Sequence, residues 1–98
     1  MIDIIVHKKR EILETCSRHG ATNVRVFGSC ARDDYSDESD VDILVSLNTN
    51  KTGWEYTAVL DEIAEELQQI LHHKVDVWSE RMLKPQVLKR AIQEAIAL

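Results

Sequence analysis

The sequence predicts an α/β fold built as one domain, and three observations carry that expectation. The chain has 98 residues, enough for one core and too few for a second. Its composition, 44% hydrophobic and 30% charged, is that of a globular protein rather than a disordered one. Its apolar periodicity switches between 3.6 and 2 in the order helix, strand, strand, helix, strand, helix.

Taken in order, Ile2, Ile5, Ile12, Leu13 and Cys16 follow helical spacing, with Asp3 as N-cap and Gly20 as the stop. Residues 23–27 alternate and are β-branched, so they read as a strand that Gly28 breaks. Residues 29–32 fit a short helical turn, followed by a polar stretch over 33–39. Val41-Asp42-Ile43-Leu44-Val45-Ser46 is the clearest strand, and a polar loop runs from it to Gly53. Residues 54–71 give a long helix with the apolar stripe Ala58, Leu60, Ile63, Ala64, Leu67, Ile70 and Leu71, closed by His72-His73; Trp54 is expected to staple its start to the core. A third strand covers 74–78. Pro85 then opens a last helix whose buried stripe is Val87, Leu88, Ala91, Ile92, Ala95 and Ile96.

Several function classes are disfavoured at this stage. No apolar run approaches the roughly 20 residues of a membrane helix, and the charges of the N-terminal segment follow its apolar stretch, the reverse of a signal peptide. A cytoplasmic protein is expected. The net charge of −5 argues against direct nucleic-acid binding, which draws on a basic face. The triplet Lys8-Lys9-Arg10 alternates with Glu11 and Glu14 as a solvated helix face does. Cys16 and Cys30 lack metal or disulfide spacing, and Cys16 falls on the apolar stripe. No histidine stands at zinc-ligand spacing.

The chemistry concentrates in two places. Asp40 and Asp42 lie two residues apart on a strand, so both point to one face while Val41, Ile43 and Val45 point to the other. Two residues of strand span about 6.6 Å, which lets both carboxylates reach cations lying side by side. Magnesium takes hard oxygen ligands, commonly one or two carboxylates plus substrate phosphates. Asp76, between Val75 and Val77, offers a third acid if its strand neighbours that of Asp42; otherwise it is an edge acid facing water. Gly28-Ser29, where a strand turns into a helical turn, exposes backbone N–H groups to a phosphate, and the Ser29 hydroxyl can add a bond. Arg32 fits a triphosphate contact, or equally a surface pair with Asp33 or Asp34. Gly-Ser, ten residues and Asp-x-Asp occur together by chance on the order of once in a thousand.

Val26-Phe27-Gly28-Ser29-Cys30-Ala31-Arg32, then Ser39-Asp40-Val41-Asp42-Ile43-Leu44-Val45, resembles the signature of the minimal nucleotidyltransferases of the polymerase-β superfamily. Val75-Asp76-Val77 and the closing helix extend the likeness, which departs at Asp33, where many members carry glycine. The resemblance implies a small mixed β-sheet packed with helices. It also implies Asp40 and Asp42 as catalytic magnesium ligands (two Mg2+ ions), with Asp76 as the third acid, a metal ligand or a base. Gly28 and Ser29 would lie against the triphosphate of ATP, beside which Arg32 is a further candidate contact. Small stand-alone relatives act as antitoxins that transfer AMP to a tyrosine of a partner HEPN-domain ribonuclease toxin, so a hetero-oligomer with such a toxin is expected. The −5 charge suits a protein acceptor better than a nucleic acid. Two alternatives stand beside it: an antitoxin that masks its toxin by binding alone, and a nucleotidyltransferase acting on a small molecule.

Overall fold

Apolar residues seven apart start the chain's packing: Ile5 and Ile12 are both fully buried. A computed structural model describes residues 3–32, 36 and 39–98. The expected first helix is two, α1 (Asp3–His7) and α2 (Lys9–Arg18), because Lys8 leaves helical geometry at φ −104, ψ 11. Asp3 sits in the first turn of α1, where an acid suits the helix dipole; Ile2 lies outside the described residues. The solvated face is as expected, with Lys8 3.4 Å from Glu11 and Arg10 3.2 Å from Glu14. Cys16 is buried.

β1 (Ala21–Phe27) and β2 (Val41–Leu47) are antiparallel, and β3 (Val75–Ser79) joins β2 in parallel. Asn23, at φ 52, marks a bulge between the Thr22 and Arg25 pairings. α3 (Gly53–Leu71) buries Tyr56, Val59, Leu60, Ile63, Leu67 and Leu71. Ala58, Ala64 and Ile70, expected in that stripe, are half-buried on its flank. Trp54 corrects the sequence reading more sharply, since it is 78% exposed. Tyr56 anchors the helix start instead, its hydroxyl donating to Ser79 Oγ at 2.6 Å. α3 ends at His72 in the left-handed region, φ 55, whose N–H bonds the Gln68 carbonyl at 2.8 Å.

The last helix also departs from the expectation. α4 (Pro85–Glu94) stops short of Ala95, and of its apolar positions Ala91 is buried whereas Val87 and Ile92 are each 48% exposed. Ile96–Ala97 form a short strand, β4, that pairs antiparallel with Arg25 and Val26. Residues that meet a free strand edge gain backbone hydrogen bonds that another helical turn would not supply at that place. The result is a four-stranded mixed sheet in the order β3-β2-β1-β4. Val41, Ile43, Val45, Val75 and Val77 belong with Ile12, Cys16, Ile63 and Leu67 to one buried cluster. That cluster fills the space between one sheet face and the helices α2 and α3.

Candidate active site

Alternation along β2 sends Asp42 to the opposite face from Ile43. The register then does what spacing alone leaves open: Asp42 pairs directly with Asp76 across the parallel ladder and with Phe27 across the antiparallel one. Three neighbouring strands thus bring Gly28, Asp42 and Asp76 together. Asp40, half-buried just before β2, stands on the same side of the strand as Asp42. Its carboxylate is 3.7 Å from Lys74 Nζ, a pair open to solvent and worth little to stability.

Gly28 adopts φ +72 and begins a 3-10 turn through Cys30. A Cβ placed on it would lie 2.6 Å from Asp42 Oδ2. Both facts demand glycine here, one for conformation and one for space. The Gly28 carbonyl accepts from the Ala31 and Arg32 N–H groups at 3.1 Å each, which holds the turn closed. Ser29 is half-buried. Behind it Cys30 is buried, its thiol aimed at the Asp40 carbonyl, 3.5 Å away, and burial holds that thiol in its protonated form.

Burial raises the Asp42 carboxyl above its ordinary range, and the Asp76 charge adds to the effect, as more weakly does Asp40. A hydrogen bond from the Trp78 side chain and the Arg32 charge oppose the shift. Sequence spacing does not single out Trp78. It shares the Asp76 face two residues on, a placement visible only once β3 is seated beside β2. Arg32 is half-exposed and pairs with Glu94 of α4 at 3.0 Å, so one carboxylate partner comes from the far end of the chain. Asp33 and Asp34, the partners its sequence position suggests, lie outside the described residues.

Among the described residues no three His, Cys, Asp or Glu side chains close around a single point. Asp40, Asp42 and Asp76 are each half-buried instead, Asp40 just before β2 and the other two on neighbouring strands. Such a partial set of carboxylates fits magnesium, which keeps waters and takes substrate phosphates rather than a complete protein cage. A cation here would also relieve the repulsion that raises Asp42. Beyond Gly28 a hollow of ≈260 Å³ lies between the 3-10 turn and α4, lined by Phe27, Arg32, Val87, Arg90 and Glu94 among others. Among the described residues, no helix is long and apolar enough to cross a membrane.

Comparison with known proteins gives the family and the fold. Residues 9–98 match the family described as nucleotidyltransferase domain. A chain of Methanocaldococcus jannaschii assigned as a protein adenylyltransferase is 32% identical over 90 residues, covering 90% of each chain. The protein adenylyltransferase MntA of Thermococcus cleftensis is 30% identical over 93 residues, covering 95% of this chain and 87% of its own. A solved structure described as a minimal nucleotidyltransferase superposes with a TM-score of 0.81 at 35% identity, over 99% of this chain and 97% of that one. A chain of a toxin–antitoxin crystal structure with AMP-PNP shares the fold, with a TM-score of 0.75 at 18% identity over 91% of this chain and 70% of its own.

Proposed function

This chain belongs to the nucleotidyltransferase domain family as a minimal nucleotidyltransferase of the polymerase-β superfamily, and from that premise we propose that it is an antitoxin enzyme that transfers AMP from Mg-ATP to a tyrosine hydroxyl of a partner HEPN-domain ribonuclease toxin, silencing it. The observation that carries the reading is the direct pairing of Asp42 with Asp76 beside a glycine that packs against Asp42. Relatives named protein adenylyltransferase support AMP as the transferred group and a protein as acceptor. The neighbour from a toxin–antitoxin complex, solved with AMP-PNP, supports the kind of partner and the nucleotide.

In this reading Gly28 and Ser29 hold the triphosphate through backbone N–H groups and the serine hydroxyl, and Arg32 turns from Glu94 toward phosphate charge. Asp40, Asp42 and Asp76 would hold magnesium, which supplies charge neutralisation on the phosphates and lowers the pKa of the acceptor hydroxyl. The acceptor oxygen attacks the α-phosphorus, the bond to the β-phosphate bridging oxygen breaks, and pyrophosphate leaves. Asp76 accepts the acceptor proton. Most of the acceleration comes from positioning and charge stabilisation.

The test is to incubate the protein with ATP, magnesium and the product of the adjacent gene and to take intact masses. An AMP-sized increment on the partner, lost in a folded Asp40→Asn/Asp42→Asn variant, is expected. Undiminished neutralisation by that variant, with no increment in either case, would replace catalysis by masking. The apolar groups that α4 leaves in solvent are the observation that favours masking as the second reading.

A further inference from the structure

β3 is an outer strand of the sheet, and among the described residues no strand lies beyond it. Its backbone directions follow from the ladder. The Val41 N–H bonds the Lys74 carbonyl at 2.8 Å in a parallel pair. Alternate residues of a parallel strand address the same neighbour, so Lys74, Asp76 and Trp78 turn their backbone groups toward β2 while Val75 and Val77 turn theirs outward. The Val75 N–H accordingly meets Gln68 Oε1 of α3 at 3.1 Å. That side-chain oxygen stands where the carbonyl of one more strand would stand. Val77 offers the next outward N–H and C=O along the edge.

This edge floors a groove of ≈450 Å³ lined by Asp61, Glu65 and Gln68 of α3 and by Asp76, Val77 and Met82, among others. Its charged lining residues are all acids, with no lysine or arginine among the described residues that line it. Resting on the protein-acceptor reading above, we infer that this groove docks the acceptor as an extended, basic segment of the partner, added beside β3 at Val77 with its hydroxyl brought to Asp76.

Three features bear on that occupant. An extended segment is the form of chain that satisfies outward N–H and C=O groups at a sheet edge, the mode known as β-augmentation. Side chains of an added strand would alternate with the pleat, as those of β3 do. One residue would rise toward Asp61 and Glu65, and its immediate neighbours would fall on the Asp76 face. The acceptor hydroxyl is therefore flanked by lysine or arginine, matching the acidic lining. Finally, the order across the sheet is Gly28 on the β1 side, Asp42 in the middle and Asp76 at the edge. A phosphate turn at one end and an acceptor groove at the other suit an in-line displacement, in which attacking and leaving oxygens lie on opposite sides of phosphorus.

The experiment titrates two blocked peptides against the isotope-labelled full chain: one carrying Lys-Tyr-Lys between threonine and valine residues, the other Glu-Tyr-Glu in the same frame. The lysine peptide is expected to shift the amide resonances of residues 75–79 and to slow hydrogen exchange at the Val77 amide. It should bind at least about tenfold more tightly than the glutamate peptide, roughly 1.4 kcal/mol. Asp61→Lys/Glu65→Lys, on an exposed helix face, should erase that preference while leaving the melting temperature within about 2 °C. Equal affinity of the two peptides, shifts confined to other surfaces, or a preference that survives the double substitution would overturn the inference. So would concentration-dependent protection of Val77 in the free chain, which would assign the edge to a second copy. The readout involves no AMP transfer, so its failure leaves the outcome of the mass experiment untouched, and the reverse holds too.

Discussion

The two faces of the sheet are made from the same strands and have opposite characters. On one, Val41, Ile43 and Val45 are wholly buried beneath α2 and α3. On the other, the half-buried Asp42 and Asp76 face each other across the ladder, next to Trp78. Leu44 shows that the second face is not simply a wet one, because it is also fully buried while sitting two residues from Asp42. The contrast teaches that around Asp42 the pleat sets the candidate chemistry apart from the core residues Val41 and Ile43 on either side. Neighbours in sequence should therefore fail in different ways.

The largest expected effect breaks that comparison at Asp42 and Ile43. Asp42→Asn should lower the rate of AMP transfer by about a thousandfold, roughly 4 kcal/mol in the barrier, with its fold intact by circular dichroism. Ile43→Ala should instead lower unfolding free energy by about 2–5 kcal/mol, read by urea titration, while the folded fraction keeps its turnover. If both variants lose stability alike, the division between faces is wrong.

A smaller effect sharpens the comparison at its boundary. Gly28→Ala puts a methyl group within 2.6 Å of Asp42 Oδ2 and forces a left-handed φ on alanine. We expect on the order of a hundredfold loss of transfer, about 2.7 kcal/mol, with the melting temperature a few degrees lower. Steady-state kinetics beside a thermal melt separates the two contributions.

The smallest effect is a pH slope. The Asp42 carboxyl holds its proton to a higher pH in the fold than in the unfolded chain. Between those two pKa values Asp42 binds more proton in the folded chain, so its contribution to metal-free stability falls as pH rises through the window. Glu66 and Glu80 contribute with the opposite sign, and the comparison with Asp42→Asn isolates the Asp42 part. Asp42→Asn should remove that decline and be the more stable protein above it. Melts in EDTA from about pH 4 to about pH 7 check the sign, since the reference carboxyl titrates near 3.9.

Local pattern made much of this molecule legible. The alternation of Val41, Ile43 and Val45 identified both β2 and the face on which Asp42 would lie, because a strand's period of two is a local property. α3 was equally clear from its length and stripe. What escaped depended on distant neighbours. The exposed side chains of Val87 and Ile92 carry a sound helical period, yet period cannot say whether anything covers the stripe. β4 has two residues and exists because β1 offered an edge. Lys8 interrupts the first helix without a glycine or proline to announce it. The pairing of Asp42 with Asp76, the position of Trp78 and the Arg32–Glu94 contact all belong to register and tertiary packing.

The close approach of Gly28 to Asp42 has a thermodynamic consequence. In the proposed site a phosphate on the turn and a cation held by the Asp42 carboxylate would be close neighbours. The cation would offset the carboxylate charge that repels the phosphate, and the phosphate would add oxygen ligands to the cation. Their binding free energies are then coupled, and linkage requires the coupling to be mutual: a cation that tightens nucleotide must be tightened by nucleotide to the same degree. Metal-free nucleotide would meet an uncompensated carboxylate, and nucleotide-free metal would lack its phosphate ligands. Under the proposed function, cation and nucleotide would therefore load together.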